Sequence, residues 1–577
     1  MMIIGLMLIC AIAEVVSLGA VLPFLGILIT PEQIFTYPFM SAIGHKLGFY
    51  EPDQIILPLT LAFAVMAFLS GAVRLLFLWL STRLALATGS DLSIKVYQRT
   101  LYQPFSTHIS RNSSEVVSGI ISKVHFVVFG VLLPVLTLIS SIVLLIAITT
   151  ILILINPMVA AVAMVSFGGC YGLVAWINRK RLNKNSQRIA HEQTNAVKAL
   201  QEGLGGIRDV LLDGLQPVYC EIYRQAEIPL RKAQAEISFI GQSPRYVMET
   251  FGLILIATLA YALSQHSGGV ASALPVLGAF AVGAQRLLPV LQQGYGAWAS
   301  IAGSHASLAD TIELLDQAFT AEQIQAKNEA ITFEKSIELK SVSFRYSEDN
   351  PWILEKVNLN IIKGMRVGFV GRTGSGKSTL LDILMGLLNT CEGEILVDGK
   401  AIIGQKLRAW QKVVAHVPQN IYLIDATLAE NIAFGVDKKE INWSRLHFAA
   451  HQAQIADFIE STPEGYEAKV GERGVRLSGG QRQRIGIARA LYKQASVLIF
   501  DEATSALDNA TEQALMQAIS EIDQGITILY VAHRLSTVRH CDLIIELENG
   551  KVKAKGTYEQ LLDSSSSFRN MVKISKD

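Results

Sequence analysis

Gly371-Arg-Thr-Gly-Ser-Gly-Lys377-Ser378 is the stretch on which the fold turns. Val367-Gly-Phe-Val370 before it reads as a short buried strand, and Ser378-Thr-Leu-Leu-Asp-Ile-Leu-Met385 after it is helical. Between strand and helix, Gly371, Gly374 and Gly376 let backbone N–H groups wrap β- and γ-phosphates, with Arg372, Thr373 and Ser375 completing the turn. The helix N-terminus adds its dipole, Lys377 a point charge, and Ser378, followed by Thr379, a hydroxyl for Mg²⁺. The pattern specifies a nucleotide-binding α/β domain.

A second strand supports that reading. Val497-Leu-Ile-Phe500 is apolar throughout and ends in Asp501 and Glu502. Adjacent carboxylates at a strand exit are costly unless a cation or a reaction employs them. The division expected is Asp501 toward Mg²⁺ and Glu502 toward an attacking water.

Upstream the composition changes. The 577 residues are 51% hydrophobic and 17% charged, with net charge +1, which gives no argument for nucleic acid as a partner. The mean hydropathy of +0.37 is the average of two unlike halves. Apolar stretches at 1–30, around Glu14, and near 55–80, 127–155, 157–177, 247–264 and 273–292 make six candidate membrane spans. Residues 1–10 contain no basic residue, so the first stretch reads as a retained span rather than a leader. The run 157–203 contains no Pro beyond its first residue, and at 1.5 Å per residue one helix over it would reach ~70 Å, from lipid into water. The segments 81–103 and 217–240 extend similarly. Arg83, Lys95, Arg99 and Arg111 fall in one inter-span segment and Arg179 to Lys232 crowd another, whereas loops 31–54 and 264–274 hold only Lys46. The basic segments therefore face the cytosol with both termini. The five cysteines are far apart and form no C-x-x-C pair, so isolated thiols are expected.

The architecture predicted is an all-α six-helix transmembrane domain with long cytosolic extensions over 1–315, a connector over 316–335, and an α/β P-loop ATP-binding domain over 336–577. That last domain resembles the nucleotide-binding domain of ATP-binding cassette (ABC) transporters. Leu477-Ser-Gly-Gly-Gln481 matches the family signature and is followed by Arg-Gln-Arg-Ile-Gly-Ile-Ala-Arg489. The resemblance implies that Tyr346 stacks on adenine, that Gln419 senses Mg²⁺, and that Ser478, Gly479, Gly480 and Gln481 cap ATP held by a second copy. It also implies a D-loop at Ser505-Ala-Leu-Asp508 contributing Asp508, and a switch histidine at His533. ATP and Mg²⁺ are the implied cofactors; Ser378, Gln419 and Asp501 the implied metal ligands; Glu502 and His533 the catalytic pair. One phosphate loop, one signature and six spans make half a transporter, so a homodimer is expected, with a heterodimer as the alternative. The resemblance also places the protein in a bacterial inner membrane with its ATP-binding domain in the cytoplasm.

The fused arrangement is similar to the exporter type, whose coupling helices dock on the ATPase; the turns near 104–118 and 205–216 are the candidates. Three arginines lie in or at the edge of apolar spans: Arg74, Arg245 and Arg286. Each is expensive there. Either they face a wet cavity that attracts an anion, or they pair locally, as Arg245 could with Glu249 one turn on. These patterns, with Glu14 to Pro23 and Pro418-Gln-Asn-Ile-Tyr-Leu423, resemble the lipid-linked oligosaccharide flippases of bacterial protein N-glycosylation. The segment 39–49 would match their external helix. ATP-driven flipping or export of a lipid-linked saccharide or glycolipid is the implied function. A multidrug or general lipid exporter is the alternative, and a nucleotide-gated channel or sensor is a third class that Glu502 and His533 argue against.

Overall fold

The computed structural model describes residues 5–13, 16, 52–155, 157–264, 269–317, 331–501, 511, 514, 517–518, 525–531 and 538–574. Glu14, the 39–49 segment, most of the connector, Glu502, the D-loop with Asp508, and His533 lie outside the described residues. The chain divides into two units, one of residues 1–103 and 111–318, the other of residues 104–110 and 319–577.

The first unit is helical. Its main elements are α1 (Pro52–Leu101), α3 (Ser113–Leu154), α4 (Ala160–Gly205), α6 (Gln216–Ser264) and α7 (Gly269–Leu315). Among the described residues, α3, α4 and the Ile56–Leu101 part of α1 are long and apolar enough to cross a membrane. The helices run on past the apolar sequence into polar extensions, and α6 does so with Pro229 and Pro244 inside it. Phe68, Leu154 and Val165 stay exposed, as a lipid-facing surface requires. Inside, Phe167, Tyr171, Met248, Leu287, Tyr295 and Ala299 form the packed centre. Close approach of α3 to α7 depends on Gly130, where a Cβ would lie 2.0 Å from Ser304 Oγ.

Among the described residues, three π turns interrupt the helices, at Gly119–Lys123, Val128–Leu132 and Met164–Gly168. The first ends at Lys123, which is buried and pairs with Asp310 of α7 at 2.5 Å. Burial without that carboxylate would be strongly unfavourable. Of the candidate coupling turns, 205–216 contains the short helix α5 (Ile207–Leu212), on which Leu211 and Leu212 are exposed. The other contains α2 (Phe105–Ser110), which groups with the second unit; Phe105 packs against that unit's apolar core.

The second unit is built on two sheets. An antiparallel sheet of order β2-β1-β4-β5 comprises β1 (Ser336–Phe344), β2 (Leu354–Ile362), β4 (Glu392–Val397) and β5 (Lys400–Ala401). The main sheet has order β10-β9-β3-β8-β7-β6, from β3 (Arg366–Val370), β6 (Val414–Val417), β7 (Val497–Asp501), β8 (Thr527–Val531), β9 (Leu543–Glu548) and β10 (Lys551–Gly556). Its strands run parallel except β10, which pairs antiparallel with β9. β7 and β8 are buried almost end to end, which is why they read as unbroken apolar runs. α8 (Lys377–Leu384) packs its Leu380, Leu381, Ile383 and Leu384 into one core, while α9 (Leu428–Ile432) and α10 (Gly479–Tyr492) contribute to a second. The five cysteines are all free thiols.

Candidate nucleotide site

Register alone collects the site. Phe369 of β3 is opposite Val531 of β8, which is opposite Asp501 of β7, and Phe500 is opposite Val417 of β6. Four parallel strands thus end along one edge, where open α/β sheets bind ligands. The phosphate loop follows β3, Asp501 closes β7, and Gln419 stands two residues past β6. Glu502 and His533 follow the ends of β7 and β8 in sequence but lie outside the described residues.

The loop is shaped by its glycines. Gly374 and Gly376 have φ of +82° and +96°, a region that side chains rarely enter. A Cβ on Gly371 would lie 2.3 Å from the Leu547 carbonyl oxygen. Arg372, Thr373 and Gly374 are exposed, whereas Ser375, Gly376 and Lys377 are buried beneath them. Ser375 Oγ is buried without a hydrogen-bond partner. Lys377 Nζ donates to the Gly371 and Arg372 carbonyls at 2.8 and 3.1 Å, holding its ammonium over the loop's mouth. Ser378 is exposed at the first turn of α8, beside buried Thr379. That hydroxyl, the loop N–H groups and the helix dipole make a phosphate receptor.

Asp382, one turn further along α8, had no role assigned from sequence. Burial, with the charge of Asp501 facing it, pushes its carboxyl up to about 6. Tyr346 follows β1, is partly exposed, and meets Phe344 edge-on at 5.0 Å between ring centroids.

The Ser-Gly-Gly-Gln stretch is where α10 begins. Ser478 is its N-cap: Gln481 N–H donates to Ser478 Oγ at 3.2 Å, and Ser478 N–H donates to Gln481 Oε1 at 2.8 Å. The residues that carry the signature therefore also form a capping box, which fixes Gly479 and Gly480 in the first turn with their N–H groups outward. Thr427 and Glu430 form the same device at α9. Further along α10, Arg489 reaches across to the segment after Gln419. Its Nε donates to Asn431 O at 2.9 Å and its Nη1 to Tyr422 O at 3.0 Å. The guanidinium also stacks on Phe434, 4.4 Å from the ring centroid. Asn431 is fully buried and ties Ile424 and Thr427 together.

Of the intramembrane arginines, Arg245 is exposed and donates to Glu249 at 2.8 Å, so the local pair forms. Arg74 is exposed on α1; Arg286 lies on the α7 backbone, its side chain outside the described residues.

Comparison with known proteins agrees with this geometry. The ABC transporter family model matches residues 354–505, and the ABC transporter transmembrane region model matches residues 8–274. The ATP-dependent lipid A-core flippase of Saccharophagus degradans is 31% identical over 497 residues, 84% of this chain and 81% of that protein. The one from Alkalilimnicola ehrlichii is 32% identical over 414 residues, 70% of this chain and 69% of that protein. The chain belongs to the ABC transporter family. It is an exporter whose transmembrane and ATP-binding domains are fused, an integral membrane protein that binds and hydrolyses ATP. In fold it matches a bacterial Atm1-family ABC exporter solved with ATP bound, with a TM-score of 0.78 and 24% identity over 97% of this chain and 98% of that one. A Bacillus subtilis protein named as a multidrug export ATP-binding/permease protein is 41% identical, but over 238 residues, 41% of each chain.

Proposed function

We propose that this ABC exporter moves an amphiphile with an anionic saccharide head, a glycolipid or lipid-linked saccharide, across a bacterial inner membrane. The observation that carries the reading is similarity to lipid A-core flippases extending over both domains, 84% of the chain. Arg74 and Arg286, in or beside apolar spans, are the candidate contacts for the charged head, and Arg245 joins them only by leaving Glu249. A multidrug or general lipid exporter is the second reading, favoured by the Bacillus subtilis relative, whose match is confined to a stretch of 238 residues. In that case the arginines are dispensable.

The working unit we infer is a homodimer. Ser478, Gly479, Gly480 and Gln481 at the exposed start of α10 close over ATP held by the partner's phosphate loop, with Asp508 and Tyr346 completing the clamp. The exposed Leu211 and Leu212 of α5 offer an apolar tip that a second copy would cover. Ser378, Asp501 and the Gln419 amide are hard oxygen donors of the kind Mg²⁺ takes. The Asp382 carboxyl, raised by burial and by the charge of Asp501, fits a cation there. Bound Mg²⁺ neutralises phosphate charge. Gly371 to Thr379 orient the γ-phosphate, Glu502 accepts the proton of the water that attacks it as the bond to ADP breaks, and His533 donates to the γ-phosphate oxygens.

The test is transport in proteoliposomes by wild type and Glu502→Gln, with lipid A and a polyprenyl-pyrophosphate saccharide as cargo. The variant should bind ATP normally but lose turnover and flipping by roughly a hundredfold or more. Near-wild-type hydrolysis by the variant removes Glu502 from its role. Vigorous ATPase by wild type while neither lipid changes leaflet refutes the cargo.

A further inference from the structure

Two cavities in the helical unit differ in charge. One, of about 510 Å³, carries Arg111, Lys123 and His191 together with Glu115, Asp310 and Glu313, and Lys123 is already committed to Asp310. The other, of about 770 Å³, lies between α4 and α7 and is lined by Trp176, Ile177, Arg179, Lys180, Asn183 and His305. It holds two fixed cations and, among the described residues lining it, no carboxylate. Neither Arg179 nor Lys180 has an ion-pair partner among the described residues. Its walls are held together just below: the Ala306 N–H of α7 donates to Ser186 Oγ of α4 at 2.9 Å, and Leu182 is fully buried.

The depth of this cavity is written in the sequence. Apolar residues run to Trp176, and Asn178-Arg179-Lys180-Arg181 follows at once. Tryptophan at such a junction marks the hydrocarbon–water boundary, and the basic residues mark its cytosolic side. An occupant must offer apolar surface to Trp176 and Ile177 and negative charge to Arg179 and Lys180 within one turn of helix. Arginine binds phosphate oxygens bidentately, and lysine adds a point charge. We propose that this cavity is a docking subsite for the phosphate-bearing head of a membrane amphiphile, at the cytosolic boundary of the bilayer. Arg179 and Lys180 hold the phosphate, Trp176 packs on the apolar part beneath it, and His305 closes the site from α7. The subsite rests on the reading of an anionic amphiphile as cargo, and it adds residues remote in sequence from Arg74, Arg245 and Arg286.

The full-length protein in phosphatidylcholine nanodiscs is titrated with lipid A, with lipid A stripped of its phosphates, and with lipid A in competition with inorganic pyrophosphate. Each cation near the membrane surface strengthens binding of an anionic lipid roughly fivefold, so Arg179→Gln/Lys180→Gln should weaken lipid A binding at least tenfold. Both side chains are exposed, so the melting temperature should be preserved. Dephosphorylated lipid A should bind both proteins alike, and millimolar pyrophosphate should leave lipid A bound. Equal lipid A affinity in wild type and variant overturns the subsite, as does an equal loss for the dephosphorylated lipid. Displacement by micromolar pyrophosphate assigns the cavity to a free phosphate compound and overturns the lipid assignment. If wild type flips lipid A while the variant binds and flips it equally, the subsite falls and the function stands. If wild type neither binds nor flips it, both fall.

Discussion

Arg489 is the residue whose removal should separate nucleotide binding from turnover. It leaves α10 and grips the stretch that follows Gln419, so the signature helix and the Gln419 segment are tied through one guanidinium. Two charge-assisted hydrogen bonds, at 2.9 and 3.0 Å, are each worth about 1.5–3 kcal/mol. The stack on Phe434, at 4.4 Å, adds about 0.5–1 kcal/mol. Against this stands desolvation: burial pulls the guanidinium down to about 10, an opposing cost of roughly 3 kcal/mol. The bonds win, because Asn431 is fully buried and its carbonyl loses the Arg489 donor when the guanidinium is removed. Arg489→Met should therefore destabilise the ATP-binding unit by about 2–3 kcal/mol, a fall in melting temperature of ~5–10 °C for a unit of this size. Arg489→Lys should recover less than half, since a point charge cannot serve both carbonyls as the planar fork does. The full chain in detergent is followed by thermal unfolding, by binding of a fluorescent ATP analogue and by ATPase rate. Below the melting range, analogue affinity should change little while the rate falls severalfold. A midpoint within 2 °C of wild type together with an unchanged rate refutes the coupling.

Two further outcomes follow from the ATP-binding unit. His416 lies on β6, its Nε2 is buried without a hydrogen-bond partner, and burial lowers its pKa to about 4. The unfolded chain takes up that proton near pH 6.5, so protonation of His416 costs nothing above pH 6.5 and removes up to about 3 kcal/mol as pH falls to 4. His416→Gln should flatten the loss of urea stability between pH 6.5 and 4.5; parallel pH profiles for variant and wild type refute it. Gly371→Ala places a Cβ 2.3 Å from the Leu547 carbonyl and 2.8 Å from Ser375 Oγ, so the phosphate loop must move. ATP affinity should fall about tenfold or more with the fold intact, and an unchanged dissociation constant for ATP shows that the loop tolerates the methyl group.

What the sequence made legible follows the range of the interactions involved. Gly371 to Thr379 could be read because strand, loop and helix are contiguous, and each residue's task is set by its immediate neighbours. The same holds for the pair Arg245 and Glu249, four apart on one helix face. The clamp of Arg489 on Asn431 spans 58 positions, and Lys123 meets Asp310 across 187. No periodicity records such pairs; nothing local in the sequence singles out Lys123, which a π turn and a facing helix bury. Phe105 is similar, an apolar residue in an apparent turn whose packing partner is a core far along the chain. Ser478 and Gln481 show the opposite limit. Their spacing carries two meanings, an N-cap device and a family signature, and the first enables the second. The capping box pairs the Gln481 N–H with Ser478 Oγ and holds Gly479 and Gly480 in a first turn whose own N–H groups have no partner in the helix, and ordered donors at a helix start are what an incoming phosphate needs. Local stability and ligand chemistry are thus set by the same four residues, which is why this stretch is readable from sequence while the arginine behind it is not.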